Sequence, residues 1–480
     1  MDSSYTKRKD TIREHADLVA RTRDAWIEKS RFYYENDYRY MRFLIPEGLR
    51  ILDLGCGTGR LLSELRPAKG VGVDLSANMI EVATASYPQF EFHVGDGEDP
   101  KFMKALGGPF DVIVVSDTIG SLSDCQKALE NLRPLCTPET RIVIAYHSVA
   151  WAPLLRVAEW LGRKMPQPQQ NWLTTGDIGN LLTLSRFEVI KREWRQLLPK
   201  SVFGVGGLLN RFVAPMPLLR LLCLRNYVVA RPAPDSVPPK RPKSATVLIP
   251  CRNERGNIEA AIKRIPPFCK DMEILYVEGG SSDGTLEEVH RVIGEYPKKD
   301  IKVLVQGGKG KGDAVRTGFE AARGEVLMIL DADLTMPPED LPKFFEALSS
   351  GQGEFINGSR LVYPMEDDAM RFLNLVANKV FSWLFSWLLN QRFTDTLCGT
   401  KVLRKSDYEM IQKNRNYFGD FDPFGDFDLI FGAAKLNLKV VEVPVRYAER
   451  VYGETQISRF RHGWLLLKMV IFAFRKLKAF

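Results

Sequence analysis

No CxxC pair occurs among the seven cysteines (56, 125, 136, 223, 251, 269 and 398), which are odd in number and scattered along 480 residues. That excludes a disulfide framework and a zinc–thiolate site, and it points to a reducing compartment. Also lacking is any run of about 18 uninterrupted apolar residues, so no transmembrane helix is expected. The opening MDSSYTKRKDTIREH is hydrophilic, without the apolar core of a secretory signal. No internal repeat relates the two halves, and no recognised basic-plus-aromatic module marks nucleic acid as a partner. What the chain does have is 45% apolar and 26% charged residues with a net charge of +8, the profile of a globular protein suited to anionic ligands or surfaces. Its length exceeds one ordinary core, so two or three domains are expected.

The seam lies at residues 231–243, RPAPDSVPPKRPK, where five prolines in thirteen positions block helix and sheet ladders alike. Before it, strand-like runs alternate with helical patterns: RILDLGCG, GVGVDLS, FEFHVGD, FDVIVVSD and RIVIAYHS. After it the alternation restarts with SATVLIPC, MEILYVEGG, IKVLVQGG and EVLMILDAD. Each half reads as an α/β sheet of mostly parallel strands. The divisions expected are a helical segment 1–48, a first domain 49–230, the linker, a second domain 244–450 and a basic tail 451–480.

In the first half, LDLGCGTG (52–59) follows a strand and precedes the helical RLLSELR. Glycines 55, 57 and 59 let the backbone turn tightly and approach a ligand at a helix N-terminus. Arg60 stands where a dinucleotide fingerprint would place its last glycine. Two further strands end in Asp74 and Asp96. Together these motifs resemble a class I S-adenosylmethionine-dependent methyltransferase over roughly residues 45–230. The resemblance implies a Rossmann-like, seven-stranded sheet. It places Gly55, Cys56 and Gly57 along the methionine part of the cofactor, Asp74 on the ribose hydroxyls, and Asp96 and Gly97 beside the adenine. Asp53, Gly59 and Leu75 complete that set, and Asp117 falls where the substrate side begins. FEVIKREWR and NYVVARP then form an antiparallel closing pair around the apolar insert 196–225. That insert is read first as a helical cap over the sheet, with lipid contact as the alternative. His147 and Tyr146 end a strand, and a lone strand-end histidine is more often structural than a general base.

In the second half, five apolar residues, Val326 to Leu330, run into Asp331 and Asp333. Carboxylates so close repel unless a cation lies between them. VLIPCRNERGN, VEGGSSDGT and the lysine- and glycine-rich GGKGKGDAV precede this pair at the ends of other strand-like runs. This half resembles glycosyltransferase family 2, nearest to the dolichyl- and polyprenyl-phosphate glycosyltransferases, over about residues 244–450. The resemblance implies a GT-A sheet binding a nucleotide-diphosphate sugar, with Asp331 and Asp333 as the DxD pair that holds Mg²⁺ or Mn²⁺. It places Pro250, Arg252, Glu254, Glu278 and Asp283 on the nucleotide, although Arg252 replaces a usual aromatic and Glu278 is followed by two glycines instead of a second acid. Thr335 replaces a glutamine that contacts metal in some relatives. Lys311 either touches the diphosphate or is a solvated loop lysine. Arg360, Arg371, Arg446 and Arg450 are the acceptor-phosphate candidates. Asp426 falls where hydroxyl-using relatives keep a base, and Asp428 either shares that role or orients its helix. Phosphate and hydroxyl acceptors are not separated.

Two features lean toward a lipid. In residues 371–390 the polar residues 371, 374, 378, 382, 386 and 390 form one helical stripe, leaving a broad apolar face with Trp383 and Trp387. Either this helix lies in a membrane interface, or it is a core helix with one wet edge. Residues 456–480 hold six Lys/Arg and no acid, as a lipid-adhering tail would. The expected protein is thus a cytoplasmic, peripherally membrane-bound bifunctional transferase. It would use S-adenosylmethionine and a divalent metal to move a methyl group and a sugar, the sugar going to a polyprenyl phosphate. The alternatives are a glycan-hydroxyl acceptor with a non-catalytic cofactor-binding first domain, and an inert membrane scaffold.

Overall fold

The computed structural model describes residues 3–480 except 169, 361, 363–371, 419–426, 449, 451 and 453–458. Two compact units meet at Pro238 and Pro239, inside the proline-rich stretch. Arg231 and Pro232 belong to a strand.

In the first unit, β1 (Arg50–Leu54), β2 (Lys69–Asp74), β3 (Glu91–Val94), β4 (Phe110–Ser116), β5 (Cys136–His147), β6 (Phe187–Arg195) and β7 (Arg225–Pro232) form one sheet, ordered β3-β2-β1-β4-β5-β7-β6. Every pairing is parallel except the two made by β7, so the expected closing pair is present. Strand order reverses between β1 and β4, which opens a crevice at their C-terminal ends. Three N-terminal helices, α1 (Ser3–Val19), α2 (Arg23–Lys29) and α3 (Arg31–Leu44), precede the sheet. α3 buries Tyr33, Asp37, Tyr40, Met41 and Leu44, one face of a helix by their spacing. The one acid on that face is matched: Arg225 Nε donates to Asp37 Oδ1 at 3.0 Å, and Tyr227 donates to the same carboxylate.

The apolar insert carries short helical turns, Val205–Leu208 and Leu219–Leu222, as expected of a cap, yet it leaves much of its apolar surface exposed. Phe203 is fully exposed and Leu218 is 81% exposed. What holds the insert is polar: Asn210 pairs with the backbone of Leu198 in both directions, at 2.9 and 2.7 Å.

In the second unit, β8 (Ser244–Cys251), β9 (Asp271–Glu278), β10 (Asp300–Val305), β11 (Val326–Ile329), β12 (Phe355–Ser359), β13 (Lys401–Arg404) and β14 (Val440–Pro444) form a sheet ordered β10-β9-β8-β11-β13-β12-β14. The order reverses between β8 and β11, and β13 runs antiparallel to both its neighbours. β13 escapes a sequence reading because it is four residues long with a basic residue at each end. Its Lys401 is wholly buried and donates to the Cys398 carbonyl.

In the helix Phe372–Leu389 two residues of the expected polar stripe turn away from water. Ser382 and Ser386 point inward and donate to the carbonyls of Thr394 and Phe393, at 2.6 and 3.0 Å. Phe385 is fully buried against Phe427, while Trp383 and Val380 face out. Trp387 packs on Phe474 of the C-terminal segment. That segment is a helix, Arg459–Ala473, which buries Leu466, Met469 and Ala473 and exposes Trp464 and Ile471. Among the described residues no helix is long and apolar enough to cross a membrane.

Arg225 bridges three elements, since its guanidinium also reaches Ser116 Oγ at 2.9 Å and Asp117. Arg225→Met leaves Asp37 buried without a counter-charge, and it is expected to destabilise the first unit by about 3–5 kcal/mol in denaturant unfolding.

Candidate active sites

In the first unit the chain leaves β1 through Gly55, at φ 80°, and turns through Gly57 and Gly59, both also left-handed. A Cβ on Gly55 would overlap Thr118, so glycine is required here on two counts. The cavity beside this turn is lined by Gly55, Gly57, Asp74, Leu75, Asp96 and Gly97, all residues expected at the cofactor. Asp53 and Cys56 are instead buried. Gly59 packs under Phe92 as it opens helix α4 (Arg60–Leu65). Asp74 accepts backbone N–H bonds from Gly57 and Ser76, both at 2.9 Å.

The N-terminal helices also line this cavity, and their basic residues there, Lys9, His15 and Arg23, were not foreseen. Lys9 donates to Asp96 at 2.6 Å and lies 2.9 Å from Glu98. Burial lifts the Asp53 carboxyl from an ordinary 3.8 to about 7, Asp74 adds to the rise, and Arg23 opposes it. Burial also raises Asp74, against the pull of its two backbone donors. Arg23 thus opposes the rise at both acids. Its α2 carries no motif, so nothing local in the sequence announces it.

On the other side of the cavity sits Asp117, at φ 62°. His147 Nδ1 lies 3.2 Å from its carboxylate, and His147 Nε2 lies 3.2 Å from the Tyr33 hydroxyl. Burial would raise Asp117, but Arg225 and His147 hold it well below the usual carboxylate range. His147 is thus no lone strand-end histidine: it stands between a fixed anion and a buried phenol. Tyr146 is occupied elsewhere, donating to the Asn171 carbonyl.

In the second unit a cleft at the ends of β8, β9 and β11 is lined by Pro250, Arg252, Glu254, Asp283, Lys311, Asp331 and Arg450. Each acid of the DxD pair faces a cation. Lys311 Nζ is 2.7 Å from Asp331, and Arg450 donates to Asp333 at 2.6 Å and to Glu254 at 3.2 Å. Burial pushes Asp331 up, yet Lys311, with Lys401 and Arg360 behind it, brings it below the usual range. Burial leaves Glu254 raised, in spite of Asn257 and Arg450. Thr335 fixes the Asp333 rotamer through its N–H and hydroxyl, at 3.2 and 2.8 Å, and the Thr335 carbonyl accepts from Ala448 N–H at 2.9 Å. That last bond brings the segment carrying Arg450 to the DxD turn.

Other expected residues are placed differently. Glu278 is buried and folds back to accept from Ser281 N–H at 2.5 Å, so it does not line the cleft. Arg360 gives its fork to buried Asp395, with bonds of 2.6 and 2.9 Å, and lies over Tyr447. A bidentate arginine so engaged is not an open phosphate ligand, which corrects the reading of Arg360. Arg446 is exposed on the chain after β14 and is not among the lining residues. Asp426 and Arg371 lie outside the described residues. Asp428 pairs with Arg415 at 3.0 Å, the orienting role of its two readings. Sequence reasoning missed Gly399, where a Cβ would overlap the Asp331 carboxylate, and also Gln306 and Tyr452 in the cleft.

Among the described residues no three His, Cys, Asp or Glu side chains gather as a metal cage. The DxD pair still fits Mg²⁺ or Mn²⁺. Both carboxylates already turn to a positive charge, and hard oxygen donors with a diphosphate completing the shell suit these ions.

Comparison with known proteins agrees with this division. A methyltransferase domain model matches residues 27–192, and the glycosyl transferase family 2 model matches residues 246–409. The dolichol-phosphate mannosyltransferase of Pyrococcus furiosus is 31% identical over 234 residues, which are 46% of this chain and 63% of that protein. The glycosyltransferase AglJ of Haloferax volcanii is 29% identical, over 47% of this chain and 70% of its own length. An undecaprenyl-phosphate 4-deoxy-4-formamido-L-arabinose transferase of Pectobacterium atrosepticum is 35% identical, over 45% of this chain and 63% of its own. Among solved structures, a Thermotoga maritima protein described as an SAM-dependent methyltransferase and possible histamine N-methyltransferase is 16% identical. It covers 46% of this chain and 99% of its own, with a TM-score of 0.35. The glucosyl-3-phosphoglycerate synthase of Mycobacterium tuberculosis is 17% identical, with coverage of 49% and 80% and a TM-score of 0.36.

The raised Asp53 has a signed consequence. Folded chain retains a proton that unfolded chain releases near pH 3.8, so stability falls as pH rises from about 4 to about 7 and is level above that. Keeping the ionised form buried costs on the order of 4 kcal/mol. Asp53→Asn is expected to flatten this slope, measured as a smaller loss of denaturation midpoint between pH 5 and pH 8 than the parent shows.

Proposed function

We propose, for a chain that joins a methyltransferase domain to a glycosyltransferase family 2 domain, a bifunctional transferase. Its first unit methylates an acceptor with S-adenosylmethionine. Its second moves a sugar, with inversion, from a nucleotide diphosphate to a polyprenyl-phosphate-type acceptor at a membrane surface. The observation that carries the glycosyl reading is the charge pairing in the cleft, where Asp331 and Asp333 face Lys311 and Arg450. Such an arrangement can exchange its internal pairs for a metal on the acids and a diphosphate on the cations.

Mg²⁺ or Mn²⁺ on Asp331 and Asp333 supplies Lewis-acid stabilisation to the leaving diphosphate. Lys311 and Arg450 hold its oxygens from the protein side, and Pro250, Arg252 and Asp283 border the space for the nucleotide. An acceptor phosphate oxygen attacks the anomeric carbon as the diphosphate departs with the bonding pair. Already anionic at neutral pH, that nucleophile needs no general base. The names of two relatives, a dolichol-phosphate mannosyltransferase and an undecaprenyl-phosphate 4-deoxy-4-formamido-L-arabinose transferase, support this acceptor class. In the first unit S-adenosylmethionine supplies an activated methyl group. Asp74 would hold its ribose and Gly55 and Gly57 its amino-acid part, and His147, held against Asp117, would take up a proton on the acceptor side. One observation favours a second acceptor reading, a glycan hydroxyl: Arg360 is spent on Asp395 and not offered to a phosphate.

Sugar nucleotides incubated with Mn²⁺, with and without polyprenyl phosphate, test the proposal. Turnover requiring the lipid phosphate is expected; turnover only with a hydroxyl acceptor replaces it with the second reading. Asp333→Asn should abolish sugar transfer and leave S-adenosylmethionine binding intact in calorimetry. Gly399→Ala, which displaces Asp331, should weaken Mn²⁺ binding by about tenfold or more in titration, a loss of about 1.4 kcal/mol.

A further inference from the structure

The first unit exposes two apolar elements side by side. One is the helix Ala152–Trp160, which follows the end of β5 and buries none of its own side chains. Leu154, Val157 and Trp160 project from it, the tryptophan 85% exposed. The other is the insert between β6 and β7, with Phe203, Leu208 and Leu218 outward. They are tied together: Trp151 Nε1 donates to the Leu222 carbonyl at 2.8 Å, and Ser148 N–H donates to the Leu224 carbonyl at 2.7 Å. Clustered exposed apolar side chains of this size mark an interaction surface.

Charge selects the partner. From Gln196 to Leu224 the basic residues are Lys200, Arg211 and Arg220, and there is no acid. Beside the first element stand exposed Arg156 and Arg163, while its one acid, Glu159, is neutralised by Lys164. Large apolar side chains interleaved with an excess of basic residues match a bilayer whose headgroups are anionic and whose acyl boundary lies just beneath.

We infer that the methyltransferase unit itself docks on an anionic membrane through the helix Ala152–Trp160 and the insert 199–222. The place is functional. The chain leaving that helix lines the cofactor cavity with Met165, Gln167 and Pro168, so an acceptor seated in the bilayer meets the cavity from this side. The inferred methyl acceptor is lipid-linked; that last step rests on the methyltransferase reading, whereas the docking does not.

Hydrogen exchange of the full chain, resolved by peptide, tests the docking. With vesicles of phosphatidylcholine and phosphatidylglycerol, exchange in 152–161 and 201–222 is expected to slow by about fivefold or more, and by less with phosphatidylcholine alone or in high salt. Unchanged exchange in both segments while the chain sediments with the vesicles overturns the inference. Protection that grows with protein concentration in the absence of lipid identifies a second copy as the occupant, and also overturns it. The combined variant Trp160→Ser, Phe203→Ser, Leu218→Ser should partition at least about fivefold less while binding S-adenosylmethionine as the parent does. Parental partitioning by that variant overturns the inference; if the variant loses cofactor binding, the exchange result on the parent decides. Loss of methyl transfer with docking preserved counts against the enzymatic reading alone.

Discussion

A carboxylate at the end of a buried strand must be neutralised, and that single electrostatic demand organises both units. Acids stand at strand ends because ligands enter there, at the reversal points of two open sheets. Left alone they would repel one another or take up protons. In the first unit Lys9 pairs with Asp96, and Arg225 with Asp37 and Asp117. In the second, Lys311, Arg450 and Arg360 serve Asp331, Asp333 and Asp395. Nearly every cation reaches its acid from an element distant in sequence, so neutralising the sites is also what gathers the chain around them.

This accounts for what could be read from the sequence and what could not. Acids following apolar runs, and glycines that turn the chain sharply, are local signals. Asp74, Asp96, Asp331 and Asp333 were therefore found with the strands that carry them, as were both sheets. Partners are non-local. Nothing in the hydrophilic α1 and α2 distinguishes Lys9 or Arg23 from any solvated helix charge. Arg360 looked like a phosphate ligand because the chain shows an arginine after a strand and not the Asp395 that meets it 35 residues later. Gly399 escaped for the same reason: its meaning lies in the side chain opposite. β12, β13 and β14 were missed on other grounds, being short and, in β13, flanked by charge that overrides strand propensity.

Polarity patterns misled where tertiary contacts reversed their direction. The serines of the helix Phe372–Leu389 form a stripe that, by amphipathicity alone, should face water. They face the chain instead, because the carbonyls of Phe393 and Thr394 need donors inside the unit. The opposite reversal occurs in the insert 196–225, whose apolar residues resemble a buried cap. With Asn210 and backbone bonds holding its form, the insert stands without burying Phe203 or Leu218. Hydrophobicity therefore located the lipid-facing candidates only in part, and exposure relocated them.

Pairing the site acids with internal cations also sets the energetics of binding. A site holding unpaired carboxylates would resist folding, and one whose cations were absent would have to create buried charge whenever an anionic donor arrived. Here the acids of the cleft are paired with cations in the folded chain, and on the proposed reading a diphosphate with its metal would re-pair the same groups: acid to metal, Lys311 and Arg450 to phosphate. These pairs are partly exposed, so exchanging them does not carry the full desolvation cost of a buried pair. Selectivity then follows without a further device. On that reading a neutral sugar would not release Lys311 or Arg450, whereas a diphosphate with its metal would exchange both pairs.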